Sequence, residues 1–184
     1  GAVPQWLPSR PLLVAYLAAR NLLRDIAVAG TRHQEGLDPA EGWDFLLRLV
    51  TEREAEIEAG IDGGTVRRIL ERLATKARAY SDGLGPLTGE VVVAAFREVC
   101  GYPPDERGMV LLQRLPGLAI DRGDEETRSF IDDDFVDACR AGDVVDFISN
   151  PYSQDNLGTH NLDCGLGSLG LAMIARSCAD GRIS

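Results

Sequence analysis

Leu118-Ala119-Ile120-Asp121-Arg122-Gly123-Asp124-Glu125-Glu126-Thr127-Arg128-Ser129-Phe130-Ile131 holds two short apolar runs around a charged turn. The pattern reads as a β-hairpin with a longer loop: one strand at 118–120, a turn at 121–126 and a second strand at 128–131. The acids Asp132-Asp133-Asp134 then introduce a helix over about 133–141, because negative charge is favoured at the positive end of a helix. A further short helix at 144–148 is expected beyond Gly142, as a continuation of that helix. Upstream, Pro116-Gly117 ends a helix over about 105–114, with Val110, Leu111 and Leu115 as its expected buried residues. Before it, a helix opens near Thr88, carries Val92, Ala95, Phe96 and Val99, and stops at Gly101 ahead of Pro103-Pro104. Helix, helix, hairpin, helix is the order of a winged-helix variant.

Three earlier helices are expected. The first spans about 10–24, with Leu13, Tyr16, Leu17 and Arg20 on one face, and a polar loop at 30–36 containing His33 follows it. The second, about 39–59, carries a stripe of Trp43, Leu46, Leu47, Val50 and Ile57. The third opens after Asp62 as N-cap and carries Val66, Ile69, Leu70, Leu73, Ala77 and Tyr80. Its basic residues, Arg67, Arg68, Arg72, Lys76 and Arg78, complement the acids of the second helix, so the two are expected to pair as an antiparallel hairpin with charge pairs across it. Ser81-Asp82-Gly83-Leu84-Gly85-Pro86 is the clearest break. The expected fold class is therefore mainly α: a helical lobe at 1–82, a winged-helix-like lobe with a short β-hairpin at 86–149, and a Gly-rich tail or the start of a further region at 150–184.

The chain has 184 residues and a net charge of -10, which argues against nucleic acid and anionic membrane as partners. No apolar run approaches the roughly 20 residues of a membrane span. Four cysteines, none in a C-x-x-C pair, and two distant histidines offer no zinc-ligand cluster. Cys100 and Cys139 read as small core residues, and a reducing cytoplasm is the expected compartment. The chain begins at Gly1 without a Met or a leader, so it is expected to be a piece of a longer protein.

Gly165-Leu166-Gly167-Ser168-Leu169-Gly170 matches the glycine fingerprint of dinucleotide loops, but no buried strand precedes it and only 14 residues follow. It reads instead as a glycine-rich turn before a helix. No G-x-x-x-x-G-K-[ST] phosphate loop is present, and Asp132-Asp133-Asp134 lacks the alternation of a calcium loop. The expected fifth helix carries two arginines, two acids and an apolar middle, and the wing is acidic. DNA readers need a basic footprint, so a winged helix that packs on another protein domain is favoured over one that reads DNA.

Two stretches carry a family resemblance. Pro8-Ser9-Arg10-Pro11-Leu12-Leu13 resembles the Pro-Leu-Leu motif that opens the helical domain after the nucleotide-binding core of NACHT-type STAND ATPases. Phe130-Ile131-Asp132-Asp133-Asp134-Phe135-Val136-Asp137-Ala138-Cys139-Arg140-Ala141 resembles the motif that closes the winged helix of the same class. The resemblance covers about residues 3–149. It implies a regulatory fragment of a signalling ATPase that controls nucleotide-dependent switching and oligomerisation without being catalytic itself. ATP or ADP with Mg would sit in the parent, and the partner would be the ATPase core in cis. By position, Pro11 would contact adenine and Asp132 would stand at the phosphate-sensor position, where the family has a histidine. An ionised Asp cannot donate to phosphate, so Asp132 is expected instead to cap a helix or pair with an Arg. Phe130 and Phe135 are core residues on either view. The alternatives are a stand-alone winged-helix adaptor or transcription regulator, and an enzyme using the Asp132–Asp134 acids with His160.

Overall fold

The computed structural model describes residues 7, 11–32, 38–57, 60–78, 83–121, 124–150 and 165–183. The element order is α1 (Pro11–Ala19), α2 (Leu23–Arg32), α3 (Pro39–Ile57), α4 (Gly63–Ala77), α5 (Gly89–Cys100), α6 (Glu106–Gln113), β1 (Leu118–Asp121), β2 (Asp124–Phe130), α7 (Asp133–Ser149) and α8 (Ser168–Ala179). The protein is thus mainly α with one short antiparallel hairpin. His33, Tyr80 and the break at 81–82 lie outside the described residues, as do His160 and Cys164.

Local chemistry sets most helix starts. Asp62 accepts from the Thr65 N–H, Thr88 from the Val91 N–H and Asp105 from the Gly108 N–H, each satisfying a donor that the first turn would otherwise leave open. Gly101 stops α5 in the left-handed conformation at φ 77.

One expectation about helix continuity is corrected. The expected first helix at 10–24 is two helices, because Asn21 turns the chain at φ 57 and α2 then runs on through residues expected to be loop. Asparagine tolerates that conformation better than most side chains. The expected helices at 133–141 and 144–148 are one continuous α7. Gly142 is small for a packing reason: a Cβ there would lie 2.0 Å from Glu71 Oε1 of α4. Gly142→Ala should therefore displace Glu71 and lower stability by about 1–3 kcal/mol in urea titration, the usual cost of overpacking.

The hairpin pairs Leu118 with Phe130, Ala119 with Ser129 and Ile120 with Arg128. Its second strand starts earlier than expected, at Asp124. Leu87 adds an antiparallel bridge to Arg128, exchanging both backbone hydrogen bonds at 2.7 and 3.0 Å. The series α4, Leu87, α5, α6, β1, β2 therefore runs helix, single bridging residue, helix, helix, strand, strand. The expected lobe boundary falls just after α4, and the core passes across it without a break. One buried cluster runs from Leu13 and Leu17 through Trp43, Ile69 and Phe96 to Phe135 and Met173.

Four helices close a ring. α3 and α4 are antiparallel, with Gly63 against Glu52 and Arg67 bonded to Asp44. α4 and α7 are antiparallel, with Arg68 on Asp146, Arg72 on Asp143 and Arg140 on the Ala74 carbonyl. α7 and α8 are parallel: Asp137 meets the start of α8, and Ser149 meets the Arg182 carbonyl beyond its end. Arg176 of α8 returns to Asp38 and Glu41 at the start of α3.

Within the expected stripes, Ile57 and Val110 are exposed rather than buried, and Leu112 is buried beside Leu111 and Leu115. Phe130 and Phe135 are both core residues. Cys139 is sealed, and desolvation pushes its thiol far above the ordinary range. A thiolate-selective reagent at pH 8 should leave Cys139 unlabelled in the native protein while exposed Cys178 reacts, and label it on unfolding.

Candidate functional site

Pro11 and Asp132, the two expected nucleotide contacts, sit in different surroundings. Pro11 is exposed at the first position of α1, where its missing N–H leaves no helical bond unmade. Asp132 is only 3% exposed and caps α7. One of its carboxylate oxygens accepts from the backbone N–H groups of Asp134 and Phe135, both at 3.0 Å. Its chemistry is that of a helix cap, and Asp133 and Asp134 fill the first turn. The alternative catalytic pairing of these acids with His160 lies outside the described residues. Among the described residues, no group of three His, Cys, Asp or Glu side chains could hold a metal ion.

The glycine fingerprint also receives an anion, but one belonging to the protein. Asp137 of α7 is buried, and its two carboxylate oxygens accept from the backbone N–H of Gly167 at 2.8 Å and of Gly170 at 2.7 Å. A Cβ at Gly167 or Gly170 would stand 2.6 or 2.8 Å from this carboxylate. The glycines thus serve the close approach of Asp137 at the start of α8. Residues 165–167 lead into α8 without regular secondary structure of their own, and a helix follows the glycines as the sequence indicated.

The polar groups of α4 hold the ring together, and not in the way expected. Arg67 reaches across to α3, at 2.7 Å from Asp44. Arg68 pairs with Asp146 at 2.5 Å, and both Arg67 and Arg68 grip Glu71. Arg72 and Asp143, 2% and 0% exposed, form a buried pair at 3.2 Å. Thr75 donates to the other Asp143 oxygen at 2.5 Å. Arg72 and Lys76 also pair with Glu98 of α5. For Arg67 and Arg68, desolvation works to lower the pKa, but the facing carboxylates overcome it and hold both guanidiniums firmly charged.

A cavity of about 430 Å³ opens beside this seam between α3, α4, α7 and α8. Its lining has four arginines against three carboxylates, so it concentrates neither sign of charge strongly. Asp137, Asp143 and Glu71 were not singled out by the sequence. Only the spacing Arg67-Arg68-x-x-Glu71-Arg72, with Asp143-x-x-Asp146, hinted at facing charged stripes.

The outer face around α6 and β1 differs from the seam. Met109 and Val110 of α6 and Ile120 of β1 are exposed, as is Tyr102 ahead of α6. Glu106 and Arg107 share the α6 surface, so one acid offsets one base there. Exposed apolar side chains with no basic stripe among the described residues suit contact with protein better than contact with phosphate.

No helix among the described residues is long and apolar enough to cross a membrane. No family model, no curated protein and no solved structure matches the chain.

Proposed function

We propose that this chain is a non-catalytic regulatory module of a NACHT-type STAND ATPase, docking on the nucleotide-binding core in cis and controlling nucleotide-dependent switching and oligomerisation. The observation that carries the reading is the joining of the α5, α6 and β1–β2 hairpin series, with Leu87 bridged to the hairpin, to the preceding helices through one core. Exposed Pro11 leaves its ring available to a neighbouring domain, in keeping with an adenine contact. Asp132 is committed to α7, so on this reading phosphate is sensed by another residue. ATP or ADP with Mg belongs to the core, and this chain contributes docking surface.

The stand-alone transcription regulator is the rival, and mixed-sequence duplex DNA at about 100 mM salt separates the two. Our reading expects no saturable binding below about 100 µM, the weak end of nonspecific affinity. Micromolar or tighter binding that weakens steeply with salt would favour the rival.

A further inference from the structure

We propose that the cavity between α3, α4, α7 and α8 is a binding site for a small organic monoanion, a single carboxylate on a compact apolar body. The site lies within this chain and is independent of docking on an ATPase core.

The cavity, about 430 Å³, falls in the size range of small-molecule sites. Small residues leave the space open: Ala40 of α3, Gly64 of α4, and Ala141 and Gly142 of α7 all line it. Together with Val145 and Met173 they give the lining an apolar part. Water makes few hydrogen bonds against such a surface, so an apolar group that displaces it gains affinity.

The polar part is charged and fixed before any ligand arrives. Glu71 is 4% exposed and takes Arg67 at 2.9 Å and Arg68 at 2.8 Å, while Asp44 and Asp146 hold the same two arginines from α3 and α7. Those bonds leave donors over. Arg67 Nη1 and Arg68 Nε make no hydrogen bond among the described residues, and the two side chains keep 23% and 28% of their surface open. A guanidinium already held in place loses little freedom on binding, and its N–H groups bond strongly to a carboxylate.

Arg176 and Arg182 add two guanidiniums from α8 and the residues just beyond it. Arg176 is taken up by Asp38 and Glu41. Arg182 is held more loosely: it pairs with Asp180 at 3.5 Å, and Arg176 approaches the same carboxylate at 3.8 Å. With four arginines against three carboxylates, the lining has one positive charge in excess. One negative charge balances it, whereas a cation would meet carboxylates already engaged by arginine.

Calorimetric titration of the whole chain with phenylacetate, and with neutral phenylacetamide of nearly the same shape, tests this. The site predicts saturable phenylacetate binding with a Kd below about 1 mM, and amide binding at least about ten-fold weaker. Acetate, which has the charge and no apolar body, should also bind at least about ten-fold more weakly. Val145→Phe, which fills the cavity, should abolish phenylacetate binding. Arg182→Gln changes an exposed side chain and covers the case in which the phenylalanine variant does not fold; it should weaken phenylacetate about three-fold and leave the amide unchanged. No saturable phenylacetate binding up to about 10 mM would overturn the proposal, as would equal affinity for the amide, or binding indifferent to both substitutions.

Discussion

Asp143→Ala should be among the most damaging single changes, lowering stability by about 3–5 kcal/mol, the cost of stranding one member of a buried ion pair. Asp143 is fully buried and accepts from Arg72 and Thr75 of α4. Without it, the Arg72 guanidinium stays 2% exposed on the α4 side of the α4–α7 seam, with Glu98 as a remaining carboxylate partner at 3.3 Å. A urea titration should show the midpoint falling with little change in slope. The pair itself need not be net stabilising, since desolvating both charges is costly. Arg72→Met combined with Asp143→Leu should therefore recover much of the loss, whereas two independent sites would simply add. If the double variant is as unstable as the sum of its parts, the seam matters for more than these two charges.

Gly117→Ala should cost about 2–4 kcal/mol, from left-handed strain and overpacking together. Gly117 joins α6 to β1 at φ 75, a conformation that L side chains seldom adopt. A Cβ there would lie 2.3 Å from the Phe135 ring. Phe135 cannot retreat easily: it is fully buried, edge-on to Trp43 at 6.3 Å and tilted against Phe130 at 6.3 Å. The Gly117 carbonyl also accepts from the Ile131 N–H at 3.1 Å, which ties the entry of the hairpin to its exit. Near-ultraviolet circular dichroism should register the disturbed aromatic cluster together with a lower unfolding midpoint. An unchanged spectrum and midpoint would mean that the turn relaxes freely.

What could be read from the sequence was what neighbouring residues decide. Asp62, Thr88 and Asp105 cap the helices they precede because the side chain and its N–H partner lie three residues apart. The hairpin at 118–130 was legible for the same reason. Asn21 was not, because Leu22 and Leu23 continue the apolar pattern through the turn. The reason for a glycine at 142 was not legible, because Glu71, which it makes room for, lies on another helix. The arginines of α4 were assigned to the acids of α3, whereas Arg68 and Arg72 found theirs on α7 and α5, a choice that only the packing makes. The glycines at 167 and 170 announced a close approach to an anion, and its source was Asp137, thirty residues or more away. Asp132 belongs with the legible caps: an ionised carboxylate does not suit a phosphate sensor, and its geometry is that of a helix cap.

These substitutions probe the scaffold, while the central proposal concerns control of a nucleotide switch. If the proposal holds, its most direct test is the rate at which ADP leaves the nucleotide-binding core of the proposed parent ATPase, with residues 1–184 joined in cis and with them deleted. The account predicts release at least about ten-fold slower when the chain is joined, the effect of a docking contact worth about 1.4 kcal/mol in the closed state. Equal rates with and without the chain, or a parent polypeptide that carries no phosphate loop, would contradict it.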